Sequence, residues 1–522
     1  MDQTTQGTRS LWMPELARPA PELQSNRRAE VVVVGAGIAG LTTAYLLAKA
    51  GREVLVLDQG GVGHGMTART TAHLSTALDD RWYKLIAQSG EADAMTAADA
   101  FLRHIDFIEE VQRDENIGCD FARVDGYLFL ADGDDRATLE KEVDAAHKLG
   151  LTDVALVDSC GMPNLTTRSC LKFPRQGRFH PLKYLDGLAR CIKRDGGQIM
   201  RAHVTAVWDG DTVTVECEGG VKVEAESAVI ATNTPINDRV VIHTKQAPYR
   251  SYAIAASVPA RSVPDVLAWD TGDPYHYIRL QPGDGGTDVI IIGGEDHKSG
   301  QAHDGAARFQ KLEVWSLARF PQITRFLARW SGQVMESADY LGYLGQNPGD
   351  QNVFVITGDS GMGMTHGTIG GLIVSDLILG KKNPWAALFD PARVTPRAAG
   401  RFARENLNVA AQYAEYVMPG DVNDVANIPP GGGAIVRRGA AKHAVYRRAD
   451  GTLVEKSAVC PHMGCLVSWN PVETCWDCPC HGSQFSAEGE VINGPATSDL
   501  AAIDKSARSA HSHDADRSPH RT

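Results

Sequence analysis

The stretch EVVVVGAGIAGLTTAYLLAKAGREVLVLD, Glu30–Asp58, decides the fold of the N-terminal part of this 522-residue chain. The apolar, β-branched run Glu30–Val34 predicts a buried strand of a parallel sheet. Leu41–Ala50 is rich in Ala and Leu and predicts a helix that ends at Gly51, and Glu53–Leu57 predicts a second buried strand. Together they predict a strand–helix–strand unit of the usual length, roughly 30 residues.

The turn between the first strand and the helix carries three glycines at the spacing that binds a dinucleotide. Gly35 permits a tight turn, Gly37 lets the backbone approach a pyrophosphate, and Gly40 lets helix and strand pack closely. Asp58 ends the second strand, where a carboxylate accepts hydrogen bonds from an adenosine ribose. A Gly-rich turn without a ligand is the alternative, but the acidic residue at the right offset favours the dinucleotide.

Three further segments carry a resemblance to a known group. Val353–Thr368 is a strand that runs into a Gly-rich turn and a helix, Ala228–Asn233 (AVIATN) is a shorter strand, and Gly63–Ser75 (GHGMTARTTAHLS) is a loop. They resemble the glutathione-reductase-like flavoproteins, in particular the D-amino-acid-oxidase group, over residues 28 to about 395. The resemblance implies FAD, and the lack of a second GxGxxG motif after a strand argues against a separate NAD(P)H domain.

The resemblance also implies which residues contact FAD. Besides the turn glycines and Asp58, they are Arg69, Thr70, Gly358, Gly361, Gly363, Met364 and Thr365. Some dimethylglycine-dehydrogenase-like relatives attach FAD covalently to a histidine in the loop that corresponds to residues 63–73. Arg69 is the nearest match to that position here, so we expect FAD to be bound without a covalent link.

The same resemblance implies an amine or amino-acid substrate whose hydride passes from the carbon next to nitrogen to the flavin. Arg279 lies near the place where glycine-oxidase-like enzymes bind a carboxylate, which a guanidinium fits through two hydrogen bonds. A solvated surface arginine is an equal alternative. His73 and His366 lie inside the flavin-contact segments and are candidate catalytic residues, with structural hydrogen bonding as the alternative for both.

The ten cysteines divide into two groups. Five are scattered singly and are expected to be small buried apolar residues: Cys119, Cys160, Cys170, Cys191 and Cys217. The other five lie within residues 460–480, which favours a metal site over a disulfide framework. There, two loops each supply one thiolate and one imidazole, in the patterns Cys460-x-His462 and Cys478-x-x-His481. A Rieske [2Fe–2S] cluster needs such pairs, although spacing alone leaves a tetrahedral zinc site open.

The letters around these residues resemble the Rieske loops. Residues 460–465 read CPHMGC, residues 478–485 read CPCHGSQF, and Gly494–Ala496 resembles the proline loop that covers the cluster. The resemblance implies a [2Fe–2S] cluster with four ligands: Cys460, His462, Cys478 and His481. It also implies a disulfide between Cys465 and Cys480 and a hydrogen bond from Ser483 to a cluster sulfur. Cys475 is surplus and is expected to be a free thiol.

Composition limits the other possibilities. The formal charge of −12, from 52 basic and 64 acidic residues, argues against nucleic-acid partners and an anionic membrane surface. The segment Met1–Glu30 is polar and has no signal-peptide core, and charges or glycines interrupt every later apolar run. We therefore expect a cytoplasmic protein without a membrane span.

The predicted fold class is α/β plus all-β: a Rossmann-like FAD-binding domain, a mainly antiparallel substrate domain, and a small β-rich Rieske domain. The predicted division begins with a polar leader, 1–27, and an FAD-dependent module, 28–395. Within that module the FAD-binding parts are about 28–80, 150–240 and 340–395, and the substrate domain is about 81–149 and 241–339. A helix and linker, 396–423, a Rieske domain, 424–505, and a disordered tail, 506–522, follow.

Three functions fit this architecture. The first is an amine or amino-acid dehydrogenase or oxidase that collects two electrons at the flavin and relays them singly through the cluster to an external acceptor, either oxygen or a redox protein. The second is an electron-transfer reductase that feeds a partner oxygenase, which the missing second dinucleotide site disfavours. The third is a redox sensor in which the cluster controls activity or partner binding.

Overall fold

A computed structural model describes residues 7–13, 20–162, 165, 169–237, 242–283 and 285–503. Over these residues the chain forms two large sheets with helices, followed by two small antiparallel sheets. This arrangement confirms the predicted fold class. No helix of the described residues is long and apolar enough to cross a membrane, and the predicted tail, 506–522, lies outside them.

The first sheet is built around the opening strand–helix–strand unit. Its eight strands are β1 (Arg27–Val34), β2 (Val54–Asp58), β7 (Gln198–Arg201), β8 (Val204–Trp208), β9 (Val213–Cys217), β10 (Lys222–Ile230), β16 (Tyr343–Gln346) and β17 (Val353–Thr357). The order β17-β10-β1-β2-β7 is parallel throughout, so the carboxyl ends of these strands meet at one edge. Val31 and Val33 are buried under helices on one face of the sheet, whereas Val32 and Val34 are buried on the other face with residues of β8 and β9.

Nine α-helices lie in the described residues. They are α1 (Ile38–Lys49), α2 (Trp82–Ser89), α3 (Glu91–Asp114), α4 (Ala137–Lys148), α5 (Pro181–Arg194), α6 (Gly305–Arg319), α7 (Gly363–Ile378), α8 (Ala386–Phe389) and α9 (Ala399–Gln412). Helix α1 packs against α5 and α7, which places the helices after β1 and β17 side by side. The N-termini of α1 and α7 therefore share the edge where a dinucleotide binds in this type of fold.

The second sheet is the predicted substrate domain. Its strands are β3 (His73–Leu74), β4 (Ala122–Phe129), β5 (Ala155–Val157), β6 (Cys170–Arg178), β11 (Gln246–Pro259), β12 (Leu267–Asp270), β13 (His276–Gln281), β14 (Thr287–Lys298) and β15 (Arg325–Ser337). All its pairings are antiparallel except that of β4 with β12.

Two sequence interpretations are corrected in this sheet. The predicted FAD-binding range 150–240 includes β5 and β6, which pair with the second sheet because β6 runs alongside β4. Cys160 and Cys170 are not separate apolar side chains but a disulfide, because the start of β6 returns Cys170 to within 5.8 Å of Cys160, Cα to Cα.

The C-terminal domain consists of short strands. They are β18 (Gly433–Arg438), β19 (Ala441–Arg447) and β20 (Leu453–Ser457) in one sheet, and β21 (Ser468–Asn470), β22 (Cys475–Asp477), β23 (Gln484–Ser486) and β24 (Val491–Asn493) in the other. Its core is formed around Trp469, Trp476 and Phe485 and includes the cysteines of both predicted ligand loops.

The segment predicted to be a polar leader is partly built into the fold. Trp12 is 1% exposed, and its indole Nε1 donates a hydrogen bond of 2.7 Å to the carbonyl of Thr70 in the flavin-contact loop. Leu23 donates its backbone N–H to Arg201 O at the edge of the first sheet. The polar composition of the predicted leader did not indicate these contacts, because a few apolar residues are sufficient to hold a polar segment on the fold.

Candidate functional sites

The turn after β1 has the geometry that its glycines predict. Gly35 has φ +111°, a left-handed value that favours glycine, and a Cβ there would collide with the carbonyl of Ala231. A Cβ at Gly40 would collide with Gly35 O, so α1 packs directly on the turn. The first amide of the helix, Ile38 N, donates to Thr67 Oγ1 at 3.1 Å. The contact of Gly35, Gly37 and Gly40 with FAD stays a prediction.

Asp58 organises the loop around that turn. Its carboxylate accepts three backbone hydrogen bonds, from Ala36, Gly60 and Gly61, at 2.7–2.8 Å. Burial raises the pKa of Asp58, and these hydrogen bonds act in the opposite direction. Asp58 thus fixes the approach of the chain to the dinucleotide edge, and its contact with a ribose stays a prediction.

The second Gly-rich turn, between β17 and α7, is held to the end of β15. Gly358 and Gly361 have φ values of +72° and +77°. Asp359 Oδ1 accepts the backbone N–H of Met335 at 3.0 Å, and Ser360 N donates to Met335 O at 2.9 Å. The turn is therefore positioned jointly by the two large sheets.

The following residues begin α7. Gly363 starts the helix, and Met364 and Thr365 are buried there, with Thr365 Oγ1 3.2 Å from His104 Nε2. This contact ties the helix to α3. Direct contacts of these three residues with FAD stay predictions.

The polar groups near this edge fit a cofactor that is rich in hydrogen-bond acceptors. Gln246 is 5% exposed, accepts a hydrogen bond from Thr357 Oγ1, and has no partner for its Nε2 among the described residues. Asn233, beyond the end of β10, likewise has a buried Nδ2 without a partner in the described part of the chain. Buried donors are normally satisfied, so these amides suit oxygen atoms of a bound FAD.

Arg69 and Thr70 have other contacts than the predicted ones. Arg69 Nη1 donates to Ser331 O at 2.8 Å and forms an ion pair with Glu473 of the C-terminal domain at 3.1 Å. Thr70 Oγ1 accepts the N–H of Ala72 at 3.0 Å. The Arg69 side chain thus fastens the two domains together, because it is long enough to reach across the interface. Contacts of Arg69 and Thr70 with FAD stay predictions.

Arg279 is committed to the protein itself. It is fully buried, and its Nη1 donates to the carbonyls of Thr71, Ala72 and Phe179 at 2.9–3.1 Å. Its Nη2 donates to Gln281 Oε1 at 2.5 Å. These contacts give no support to Arg279 as a carboxylate-binding residue, because both of its Nη atoms already donate to the protein. Its Nε is buried without a hydrogen-bond partner among the described residues.

His73 and His366 are buried and bonded to the main chain. His73 Nε2 lies 3.1 Å from Ile278 O, and His366 Nδ1 lies 2.8 Å from Asp359 O. Burial lowers the pKa of His73 to about 3 and that of His366 to about 4, so both rings are neutral at physiological pH. These contacts favour the structural alternative for each histidine.

A group of acidic and tyrosine side chains lies around the second Gly-rich turn, and of these the sequence did not indicate Asp79 and Glu336. A Cβ placed on Gly361 would lie 2.8 Å from Asp79 Oδ2, 3.6 Å from Tyr275 Oη and 3.7 Å from Glu336 Oε1. Tyr275 donates to Asp79 at 3.0 Å, and Ser360 donates to Glu336 at 2.9 Å. We call Asp79, Asp296, Glu336, Tyr275 and Tyr277 the acidic pocket.

The carboxyl groups of the acidic pocket are buried, and burial disfavours their ionised form. Burial raises the pKa of Asp79 to about 6 and that of Asp296 to about 7, and it raises the pKa of Glu336 well above its usual value. Asp296 Oδ1 is buried without a hydrogen-bond partner among the described residues. Burial also raises the pKa of neighbouring Asp80, although Arg401, Lys84 and Arg81 act in the opposite direction.

The C-terminal domain brings the predicted cluster ligands together. The rings of His462 and His481 are 5.0 Å apart, and the thiols of Cys460 and Cys478 are hydrogen-bonding neighbours. The Cys478 sulfur, more than the hydroxyl of Ser483, holds the pKa of Cys460 below its usual value. Two thiols and two imidazoles from adjacent loops are the donor set of a Rieske cluster.

The surroundings of the ligands support both loops. Cys465 and Cys480 form a disulfide between the loops, so neither sulfur is available as a ligand, although both lie within 4.8 Å of Cys478 Sγ. Ser483 Oγ accepts the N–H of Ala496 at 3.0 Å, which holds the proline loop over the site. Cys475 is a buried free thiol.

The histidine side of this site faces the flavin-containing module. His243, which is 2% exposed and precedes β11, lies 4.8 Å from the ring of His462 and 5.6 Å from that of His481, measured between ring centroids. Gln333 Nε2 donates to Gly482 O at 3.0 Å, directly after His481. The predicted ligands are therefore enclosed by both domains.

Charged side chains fix this interface. Arg250 Nη2 contacts both oxygens of Asp477 at 2.8–2.9 Å, and the two side chains are 3% and 2% exposed. Glu473 receives hydrogen bonds from Thr8 and Ser331 in addition to the ion pair with Arg69. Despite burial, Arg69 and then Arg250 hold the pKa of Glu473 below its usual value.

The fold and the two sites define a flavin-dependent oxidoreductase joined to an iron–sulfur electron-transfer domain. A model of the FAD dependent oxidoreductase family matches residues 30–377, and a model of the Rieske [2Fe-2S] domain matches residues 419–504. The chain thus belongs to the FAD dependent oxidoreductase family. Its cofactors are FAD and a [2Fe–2S] cluster, which decides against the zinc alternative.

Known proteins resemble both the whole chain and its larger part. The Rieske 2Fe-2S iron-sulfur protein YhfW of Bacillus subtilis is 29% identical over 503 residues, 93% of this chain and 95% of that protein. The γ-glutamylputrescine oxidoreductase of Escherichia coli is 24% identical, over 72% of this chain and 90% of its own. The crystal structure of glycine oxidase from Geobacillus kaustophilus, 19% identical, covers 71% of this chain and 100% of its own with a TM-score of 0.59, which shows the shared fold.

Proposed function

We propose that this protein oxidises a carbon–nitrogen bond of a cationic amine and passes the electrons, one at a time, to an external acceptor. FAD supplies a two-electron hydride acceptor, and the Rieske cluster supplies a one-electron carrier. The observation that carries the proposal is the packing of His243 against both predicted histidine ligands, since it joins the cluster to the flavin module in one folded body.

The acidic pocket supports an amine over an amino acid. Asp79 and Glu336 lie around Gly361, beside the predicted flavin contacts, and buried carboxylates favour a cation that would stabilise their ionised form. Tyr275 and Tyr277, with ring centroids 5.4 Å apart, offer the aromatic faces that cations also favour. Arg279, the predicted receptor for a substrate carboxylate, is bonded to main-chain carbonyls instead. The E. coli relative, a γ-glutamylputrescine oxidoreductase by name, supports the same substrate class.

The residues of the pocket have defined tasks in this proposal. Asp79 and Glu336 hold the cationic nitrogen near the turn at Gly361, and Asp296 accepts a proton or a hydrogen bond from the amine. The sheet beneath them excludes water and fixes the orientation of the substrate, which is the main requirement for hydride transfer. The predicted candidates His73 and His366 keep structural roles.

Anaerobic mixing of the holoenzyme with putrescine, γ-glutamylputrescine, glycine and NADH tests the proposal. Flavin absorbance and the electron paramagnetic resonance signal of the reduced cluster are followed separately. We expect an amine to reduce the flavin first and the cluster second, and NADH to reduce neither. Reduction by NADH alone contradicts the proposal and supports the reductase alternative, and reduction by glycine but not by the amines contradicts the cationic substrate.

A further inference from the structure

One buried amide connects the surroundings of the two predicted cofactor sites. Gln333 lies on β15 and is 2% exposed. Its Nε2 donates to Gly482 O at 3.0 Å, and Gly482 follows the predicted ligand His481. Gly482 has φ +84°, and a Cβ there would lie 2.7 Å from Gln333 Nε2, so the second ligand loop sits directly against this side chain.

The other contacts of Gln333 lead to the predicted flavin segments. Its backbone N–H points to Met66 Sδ at 3.3 Å, and Met66 belongs to the loop 63–75. Two residues further along β15, the backbone of Met335 holds the second Gly-rich turn: its N–H donates to Asp359 Oδ1 and its carbonyl accepts from Ser360 N. A short run of strand and four hydrogen bonds therefore connects the predicted flavin contacts to the residue after a cluster ligand.

The Gln333 side chain also has an unusual free acceptor. Its Oε1 is buried and has no hydrogen-bond partner among the described residues. A buried acceptor without a partner costs free energy, so a purely structural explanation would favour an apolar side chain of similar size at this position. The amide instead presents its donor to the ligand loop.

We infer that Gln333 is a positioning residue for electron transfer from the flavin to the cluster. The inference rests on the proposed function, since it concerns the step that follows amine oxidation. Each oxidised amine releases two electrons, and the cluster carries one at a time, so each cycle reduces the cluster twice and needs two oxidations by a one-electron acceptor. Gln333 keeps the second ligand loop at a fixed, well-packed separation from the flavin segments, and His243 fills the neighbouring space beside both ligand rings.

The test measures this step without a substrate. In the anaerobic holoenzyme, the flavin is reduced by a light pulse with a sacrificial electron donor, and the appearance of reduced cluster is timed. We expect Gln333→Leu to slow the transfer roughly tenfold or more, because a small loss of positioning has a large effect on rate. We expect the variant to keep the wild-type resonance spectrum and midpoint potential of the cluster. A general loss of structure would change both.

Gln301→Leu is the matched control, because Gln301 approaches the carbonyl of Pro479 in the same loop, at 3.5 Å, and bonds to Asn408. The Gln301→Leu variant should transfer electrons from the flavin to the cluster at the wild-type rate. If Gln333→Leu does not load its cluster, Gln333→Asn provides the same comparison, because it withdraws the amide by one methylene. We expect its rate of electron transfer to lie between those of the wild type and Gln333→Leu. A wild-type rate in a cluster-loaded Gln333 variant overturns the inference and leaves the proposed function intact, whereas no transfer in the wild type overturns the proposed electron relay itself.

Discussion

The protein buries carboxylates in two regions and surrounds them differently. At the domain interface, Asp477 and Glu473 face the guanidinium groups of Arg250 and Arg69. In the acidic pocket, the carboxylates face hydroxyl groups and one another. The pKa of Glu473 is lowered while that of Asp296 is raised to about 7. A buried acid with a fixed cation holds a structure together, whereas one without such a partner favours a cation brought by a ligand.

The largest expected effect is at the interface. Arg250→Met leaves Asp477 buried without its partner and is expected to destabilise the C-terminal domain by about 3–5 kcal/mol. Urea titration of the holoenzyme, followed by loss of the cluster's visible absorbance, measures the change. The control is Arg28→Met, since the Arg28–Glu224 pair is 84% and 45% exposed and its loss should cost less than about 1 kcal/mol. Equal losses of stability in the two variants would contradict a special role for the buried pair at the interface.

In the acidic pocket the effect should appear in substrate binding rather than in stability. Asp296→Asn and Glu336→Gln are each expected to raise the KM for the reducing amine roughly 10–100-fold, the equivalent of one hydrogen bond to a charged group. Steady-state kinetics of the holoenzyme with an artificial one-electron acceptor measures it. Glu226→Gln, at a side chain 66% exposed, is the control and should leave KM unchanged. Unchanged KM values in both pocket variants would contradict a pocket for cations.

The pH dependence should separate the two regions further. Since the pKa values of Asp296 and Asp79 are raised to about 7 and about 6, protonation removes their charge in that range. The KM for a cationic amine should therefore rise as the pH falls from above 7 to below 6. Low pH weakens substrate binding but stabilises the fold. A carboxyl group with a raised pKa contributes to the free energy of unfolding at low pH, and this contribution is lost as the pH rises through about 7.

Asp296→Asn checks both consequences. The variant should lose the pH step near 7 in the KM profile, and it should unfold at a higher temperature than the wild type above pH 7 but not below pH 5. If the change in KM near pH 7 persists in the variant, a group other than Asp296 is responsible for it.

The smallest expected effect concerns the N-terminal segment. Thr8 donates its hydroxyl to Glu473 at 2.5 Å, so Thr8→Val should destabilise the interface by about 1 kcal/mol. Thr8→Ser keeps the hydroxyl and should retain nearly all of that stability in the same urea titration. A loss in the serine variant as large as in the valine variant would show that the methyl group, and not the hydrogen bond, matters.

The parts of the molecule that could be predicted from sequence are those set by local spacing. The strand–helix–strand unit around Gly35 depends on residues within about 30 positions of one another, and so does the pairing of the two ligand loops. The close approach of Ala231 to Gly35 comes from a distant part of the chain and was not predicted. Arg69 and Arg279 were assigned to FAD and substrate because they lie near positions that have those roles in the resembling families. A long side chain reaches several possible partners, however, and its choice depends on elements that are distant in the chain. The Arg250–Asp477 contact joins residues 227 positions apart, a separation at which no sequence pattern specifies a partner.

That contact has a consequence for how such a protein is inherited. A gene fusion that joined two independent domains by a flexible linker would allow either one to be replaced by a homologue. Here an incoming C-terminal domain without an acid at position 477 would leave Arg250 buried and unneutralised. An incoming N-terminal module without an arginine at position 250 would leave Asp477 in the same state. The two halves are therefore expected to vary together through evolution, as a single unit of selection and not as interchangeable modules.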